Sequence, residues 1–252
     1  MKEKLLAVEH PDLVLSCNGK MYDELKGNRF YGLIDMDLNP QKPWIGNLNV
    51  PSVHSQARII SSPVAFIGQA FNTVSYTHEY APALNVAACL FDNLTLHSMI
   101  REQGGAYGSG AVNNAMASHF YFYSYRDPNI VNSIKAFDKS IKNVLEGNFD
   151  SEDLSEAKLE IIQSSDAPIS PGSRADLAYG WLREGKYPAI RQAFRDKILG
   201  LTKEQVIEAI RSEILPKREA SAIIVFAGKE LLEKENAKFA ELHETPLTIE
   251  PI

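Results

Sequence analysis

The chain has 252 residues, of which 44% are hydrophobic, and its formal net charge is −6. This length favours one large domain, or one domain with an appendage, and the apolar content is enough to fill a buried core. The 26 lysine and arginine residues are scattered rather than gathered into a stripe, which argues against nucleic acid as a partner. No apolar run approaches the roughly 18 residues that a membrane span needs, and no signal peptide is visible at the N-terminus.

The first part of the chain predicts short strands on either side of a linker. The stretch Asp12 to Gly19 is a β-like run that ends in Asn-Gly, and a helical pattern follows it. The segment from Met36 to Ser55 has three prolines and little periodicity, so it is the best linker candidate. From Ala57 to Tyr76 the sequence predicts two strands or one bent strand, with a break at Ser61-Ser62-Pro63.

The strongest helical pattern is ALNVAACLFDNLTLHSMIRE, which ends at Glu102. Two strands follow, with a turn predicted near Asn113-Asn114 and an aromatic-rich second strand. Further helices are predicted from about Ile130 to Glu146, after a cap at Asp150 or Ser151, after Ser170-Pro171, and after a capping box at Thr202 and Gln205. The strand SAIIVFAG and the helix KELLEKENAKF complete the predicted order.

An internal echo suggests a repeated domain. The stretches LVLSCNGKMYDELKGNRF and IIVFAGKELLEKENAKF share a predicted strand, a Gly-Lys pair and a charged helix, with Gly19 and Gly228 separated by 209 residues. One interpretation is that the chain begins in the tail of one copy and then contains a second, full copy. Ordinary strand-turn-helix chemistry explains the echo equally well.

The sequence contains no self-contained catalytic motif. None of the six histidines has the HExxH or HxxEH spacing that places two imidazoles on one helix face. His97 is expected to be a core or groove histidine rather than a ligand, and the two cysteines, Cys17 and Cys89, are expected to be reduced and buried. The glycines of GGAYGSG follow a helix and open a strand, which is the reverse of a phosphate-binding loop.

The stretch REQGGAYG raises a different possibility for function. Gly104 and Gly105 are expected to end the helix with positive φ, which places Arg101 in its last turn and Tyr107 at the start of the next strand. Both side chains are then expected to project into one cleft. The alternative is that Arg101 only complements the helix dipole and that Tyr107 packs as an ordinary strand aromatic.

Three motifs in one order carry a family resemblance. The pattern R-x-x-G-G-A-Y-G, the stretch FYFYSYRDPN from Phe120 to Asn129, and DAPISPGSRA from Asp166 to Ala175 together resemble the C-terminal part of presequence-protease and falcilysin-type zinc metallopeptidases. These belong to the pitrilysin/insulinase clan, and the resemblance covers nearly the whole chain.

The resemblance implies an α+β fold, in which a mainly antiparallel sheet is covered by helices on one face. Family members have four related domains in two halves that close around an unfolded peptide, with the zinc motif HxxEH in the first domain. Residues 1–40 would then be the strand-helix tail of a preceding homologous domain plus linker, and residues 41–252 the C-terminal metallopeptidase-like domain.

The resemblance also implies roles for the helix-to-strand corner. Tyr107 would donate its phenolic proton to the oxyanion of the tetrahedral intermediate, and Arg101 would anchor a substrate carbonyl or carboxylate, with Gly104 and Gly105 beside them at the substrate. Zinc would belong to the intact enzyme and none to this chain, so the chain alone is expected to be inactive. Its partners would be unfolded peptides and the N-terminal zinc-binding half of the same protein, in the cytoplasm or an organelle matrix.

Two other functions remain open at this point. The chain could be a non-catalytic scaffold of the same fold, like the peptidase-related core subunits of respiratory complexes. It could also be an independent module that binds a peptide by strand addition at a sheet edge. The presence of both Arg101 and Tyr107 favours the peptidase, because a scaffold has no need of them.

Overall fold

The computed structural model describes residues 12–35, 54–242 and 245–251. The described residues form two compact units. One contains residues 12–35 and Ala167–Tyr187, and the other contains residues 54–166 and the described residues from Pro188 onward. The proposed linker, apart from His54 and Ser55, lies outside the described residues, so the boundary between residues 40 and 41 stays a prediction.

The helices and strands follow one another as a helix, two strands, a helix, two strands, a series of helices, and two strands around a last helix. The helices are α1 (Gly19–Gly27), α2 (Ala81–Phe91), α3 (Val131–Leu145), α4 (Ser151–Ser165), α5 (Arg174–Arg183), α6 (Pro188–Gly200), α7 (Lys203–Ala209), α8 (Leu215–Arg218) and α9 (Lys229–Glu241). The strands are β1 (Gln56–Ile59), β2 (Ala65–Asn72), β3 (Gly108–Asn114), β4 (His119–Asp127), β5 (Ala222–Ala227) and β6 (Thr248–Pro251). Short 3-10 segments cover Arg29–Asp35 and Pro171–Ser173, and π-helical segments cover Asp92–Glu102 and Ile210–Ile214.

The strands form one sheet in the order β3-β4-β2-β5-β1-β6. The pairings β3–β4, β4–β2 and β2–β5 are antiparallel, whereas β1 pairs parallel with both β5 and β6. The predicted α+β class with a mainly antiparallel sheet is therefore confirmed. The break at Ser61-Ser62-Pro63 separates β1 from β2, so the two-strand interpretation of that region is correct.

One face of the sheet carries the hydrophobic core. In β4, Phe120 and Phe122 are fully buried. Phe122 stacks against Phe137 of α3 with ring centroids 5.3 Å apart, and it also contacts Phe91 of α2. Burying a side chain of this size contributes about 1.5–3 kcal/mol. The aromatic residues that alternate with the buried positions of β4, which are Tyr121, Tyr123 and Tyr125, point to the other, more exposed face, as the two-residue period of a strand requires.

Local sequence signals fix several helix ends as expected. Asp150 caps α4 with a complete capping box to Asp153, and Thr202 does the same for α7 with Gln205. Ser170 accepts the Ser173 N–H at the start of the 3-10 segment that leads into α5. In each case the cap satisfies backbone N–H groups that have no partner within the helix.

The start of α3 is capped from a distant part of the chain. The carboxylate of Glu235 in α9 accepts the backbone N–H groups of Ile130 at 2.9 Å and Val131 at 3.0 Å. Glu235 is 1% exposed, and Lys238 donates to its second oxygen at 2.5 Å. The carboxylate of Asp127, just before this helix, accepts from the backbone N–H of Asn129 and from the hydroxyl of Ser133.

Some sequence expectations are wrong. Residues 12–18 form no strand. The Asn-Gly pair that was expected to end the strand begins a helix instead, because Asn18 caps α1, which starts at Gly19. Cys17 is exposed rather than buried, and Cys89 is only half-buried. The turn between β3 and β4 covers residues 115–118, so Asn113 and Asn114 belong to β3.

Within the described residues, no helix combines the length and apolar character required to cross a lipid bilayer.

Candidate functional site

The predicted helix-to-strand corner exists, and it follows an unusual helix. The residues Asp92–Glu102 continue α2 as a π-helical segment. This form is rare in proteins overall, but where it occurs it is often at a functional site. The Gln103 N–H donates to the carbonyl of Ser98, five residues earlier, at 2.9 Å. The N–H of Gly105 then donates to the carbonyl of Arg101 and that of Ala106 to the carbonyl of Ile100, both at 3.0 Å. These bonds end the helix and turn the chain into β3.

The two glycines of the corner serve different purposes. Gly105 has a φ of 79°, the left-handed conformation expected after a helix end. Gly104 is not among the glycines with positive φ, so the expectation for it is wrong. Position 104 has no room for a side chain, because a Cβ there would lie 2.6 Å from the carbonyl oxygen of Ile100. The side chain of Asn129 donates to the Gly104 carbonyl at 2.8 Å and ties the corner to the start of α3.

Replacing either glycine by alanine is expected to destabilise the corner. Gly105→Ala places a Cβ in the left-handed region, which costs about 1–2 kcal/mol, and Gly104→Ala pushes a Cβ into a backbone carbonyl. Urea unfolding of the purified chain measures both changes. Gly200→Ala is the matched control, because nothing lies within 4 Å of its Cβ position. Equal stability of all three variants would show that the corner is not held as described.

Arg101 and Tyr107 both lie at the surface of the corner. Tyr107 is 71% exposed and Arg101 is exposed. The Tyr107 N–H donates to the carbonyl of Tyr125 at 3.1 Å, and the two rings meet edge to face with centroids 5.9 Å apart. In the part of the chain that the structure describes, the Tyr107 hydroxyl has no hydrogen-bond partner and the Arg101 guanidinium no ion-pair partner. Both groups are therefore unengaged among the described residues, and their catalytic roles stay predictions.

The π-helical segment also brings Asp92 to the face of the helix that carries Arg101. These residues are nine positions apart, which is about two turns of a π-helix but about two and a half turns of an α-helix. Burial raises the pKa of the Asp92 carboxyl, while the charges of His97 and Arg101 act in the opposite direction. Burial and the charge of Asp92 raise the pKa of the Tyr123 phenol, which Arg101 opposes. Asp92 and Tyr123 therefore belong to the electrostatic surroundings of Arg101.

His97 is at the surface rather than in the core or a groove. Its side chain is 48% exposed, and its Nδ1 lies 3.7 Å from a carboxylate oxygen of Glu102. The spacing of five residues fits the π-helical register. Among residues 12–35, 54–242 and 245–251, no three histidine, cysteine or acidic side chains lie close enough together to hold a metal ion. These residues therefore provide no set of ligands that fits a zinc ion.

The edge of the sheet next to the corner is partly covered. β3 pairs only with β4 among the described strands, yet Ser109 and Gly110 in its middle are buried. The Tyr123 ring lies against Gly110, where a Cβ would be 2.9 Å from Cε1 of the ring. This part of the edge exposes little backbone for strand addition, the binding mode of the peptide-module alternative.

A small cavity of about 180 Å³ lies between α2 and α6. Its walls include Tyr76, His78 and Phe194, and the rings of Tyr76 and Phe194 stack at 4.3 Å. Neither Arg101 nor Tyr107 lines it.

Comparisons with known proteins add a family and a fold. A family model described as "PreP C-terminal domain" matches residues 55–227. The chain is 35% identical over 150 residues to a protein from Xenopus laevis named "Presequence protease, mitochondrial", an alignment that covers 60% of this chain and 14% of that protein. The chain thus spans only a small part of this curated relative.

Solved structures share the fold, and two of them are representative. A protease from Helicobacter pylori matches with a TM-score of 0.62 at 13% identity, covering 85% of this chain and 53% of that chain. A peptidase M16 inactive domain from Pseudomonas fluorescens matches with a TM-score of 0.60 at 14% identity, covering 84% and 52%.

Proposed function

The chain belongs to the PreP C-terminal domain family, and on that premise we propose that it is the C-terminal, non-zinc-binding part of a zinc metallopeptidase that degrades unstructured peptides in a closed chamber. The observation that carries the proposal is the corner. A phenol hydroxyl that makes no hydrogen bond and a guanidinium that makes no ion pair with the described residues stand at the surface, on a turn that two glycines and Asn129 hold in place. Such pre-positioned donors are what acyl-transfer chemistry requires.

Each side chain has a distinct role in this proposal. The Tyr107 hydroxyl donates a hydrogen bond to the oxygen of the scissile carbonyl as negative charge develops there. The Arg101 guanidinium binds a carbonyl or carboxylate of the substrate through charge-assisted hydrogen bonds. Gly104 and Gly105 let the peptide approach, since neither projects a side chain.

The metal and the general base come from elsewhere in this proposal. The sequence lacks HxxEH, so zinc, which polarises the carbonyl and activates water in such enzymes, is assigned to the N-terminal half of the same protein. Chemistry is complete only when the two halves close over a substrate small enough to fit, which protects folded proteins. By analogy with the relative named as mitochondrial, we place the protein in an organelle matrix.

Complementation tests this function. The purified chain with added zinc is expected to leave an unstructured fluorogenic peptide uncut, and mixing it with the N-terminal zinc-binding half is expected to start turnover. Chelator-sensitive hydrolysis by the chain alone would contradict the proposal. So would an N-terminal half that is fully active without this chain, or a stable complex of the two halves that is inactive. The last result would favour the scaffold.

A further inference from the structure

Arg126 occupies the extra position of a β-bulge at the end of β4. Ala65 of β2 is paired with Asp127, but the next residue, Phe66, is paired with Tyr125, so Arg126 has no counterpart in β2. Its φ is 51°, in the left-handed region that residues with a Cβ rarely adopt. Bulges of this kind are enriched next to active sites, where they change the direction of a side chain.

The bulge changes which face of the sheet Arg126 occupies. Along β4, Phe122 and Ser124 are buried while Tyr123 and Tyr125 are exposed. Regular alternation would send the next side chain, that of Arg126, to the buried face. With the bulge, Arg126 is exposed and Asp127 takes the buried position, where it is 0% exposed.

The guanidinium of Arg126 lies at the helix-to-strand corner. Its central carbon is 6.0 Å from the centre of the Tyr107 ring and 5.6 Å from that of Tyr125, which are cation–π distances. Across the described ranges no carboxylate lies within ion-pair distance of it. The carboxylate of its neighbour Asp127 is buried and accepts from Asn129 and Ser133 instead. The corner therefore carries a second cation whose charge is not compensated.

We propose that Arg126 is a binding residue for a carboxylate group of the peptide substrate, either an acidic side chain or a free C-terminus, at the corner formed by Arg101 and Tyr107. This inference rests on the proposed function, since it assumes that the ligand is a peptide. The planar guanidinium has the geometry to bind a carboxylate with two parallel hydrogen bonds. Cation–π contacts with the rings of Tyr107 and Tyr125 hold it in position beside the phenol.

The test is a titration of the purified 252-residue chain, followed by NMR at the arginine Nε–Hε groups. The probes are three short acetylated peptides. One has a central glutamate and an amidated C-terminus, the second has glutamine in place of glutamate, and the third is the glutamine peptide with a free C-terminal acid. The expected result is a shift at the Arg126 signal with the glutamate peptide, the free-acid peptide or both, with a Kd on the order of millimolar. The probe that binds identifies the source of the carboxylate.

Variants separate binding from a structural role. Arg126→Gln is expected to raise the Kd of the carboxylate probe about fivefold or more. Arg126→Lys is expected to restore part of the lost affinity, since lysine returns the charge but not the planar guanidinium. Arg211→Gln is the matched control: it removes the same charge from a surface arginine that already pairs with Glu208.

Three results would overturn the inference: no shift at Arg126 up to about 20 mM peptide, the same Kd for the glutamine amide as for the carboxylate probes, or an unchanged Kd in Arg126→Gln. The titration needs neither zinc nor the N-terminal half. A failed titration would therefore leave a positive complementation result intact, and a failed complementation would leave a positive titration intact.

Discussion

Replacing Tyr107 by phenylalanine is expected to lower the turnover of the reconstituted peptidase by about 100-fold or more, with little effect on folding. The hydroxyl makes no hydrogen bond within the described part of the chain and the residue is 71% exposed, so its loss leaves no buried group without a partner. If the phenol stabilises charge that develops only in the transition state, kcat falls and KM changes little. Steady-state kinetics with an unstructured fluorogenic peptide measures both constants.

Two further variants make this test specific. Tyr31→Phe is the control, because Tyr31 is 73% exposed and lies in the other compact unit. Arg101→Ala is expected to act mainly on KM, since it removes an anchor that is present before and during the reaction. A Tyr107→Phe enzyme with full kcat would refute the oxyanion role, whatever happens to Arg101.

Replacing Glu235 by glutamine is expected to destabilise the larger unit by about 2–4 kcal/mol, because a buried, charged cap loses its charge while its three donors stay in place. The two backbone N–H groups at the start of α3 and the ammonium of Lys238 would all face a neutral amide. Urea unfolding monitored by circular dichroism gives the difference. Glu233→Gln on the same helix is the control, since Glu233 is exposed and only pairs with Lys229 at 3.7 Å. Its effect should stay within about 0.5 kcal/mol.

The same residue predicts a pH dependence. Burial alone would raise the pKa of Glu235, but the hydrogen bonds from Lys238, Ile130 and Val131 outweigh it and hold the pKa below its ordinary value of 4.5. A lowered pKa means that the stabilisation is complete above pH 4.5 and is lost as the pH falls through the folded-state pKa. The free energy of unfolding of the wild-type chain should therefore fall more steeply below pH 4.5 than that of Glu235→Gln. Parallel curves would contradict the charged cap.

The sequence predicted those parts of the fold that depend on neighbouring residues. The cap at Asp150 or Ser151, which the structure assigns to Asp150, the capping box at Thr202 and the strand break at Ser61-Ser62-Pro63 each need only a few adjacent side chains, and all three are confirmed. The Glu235 cap joins residues more than 100 positions apart. No local pattern marks it, because the groups that Glu235 caps at the start of α3 are ordinary backbone N–H groups.

Only part of the candidate site could be predicted, because the sequence shows local patterns and not contacts between distant residues. Arg101 and Tyr107 stand out in the sequence because they flank a glycine pair. The pattern that contains them resembles a family motif, and this resemblance implies a role for each. Asp92 and Arg126 were missed. The first joins the site through π-helical register, whereas the sequence was interpreted with an α-helical period. The second joins it through a bulge, which depends on the pairing of β4 with β2. The only signal for either was the RDPN stretch after the alternating aromatic residues.

The wide turns of Asp92–Glu102 also constrain how this gene can change. Substitutions on the exposed side of the segment leave the direction of Arg101 intact, but deleting or inserting one codon would rotate the arginine by roughly a quarter turn about the helix axis relative to Asp92. Length variation among descendants of this sequence should therefore be absent between these two residues and should accumulate instead in places such as the turn at residues 115–118.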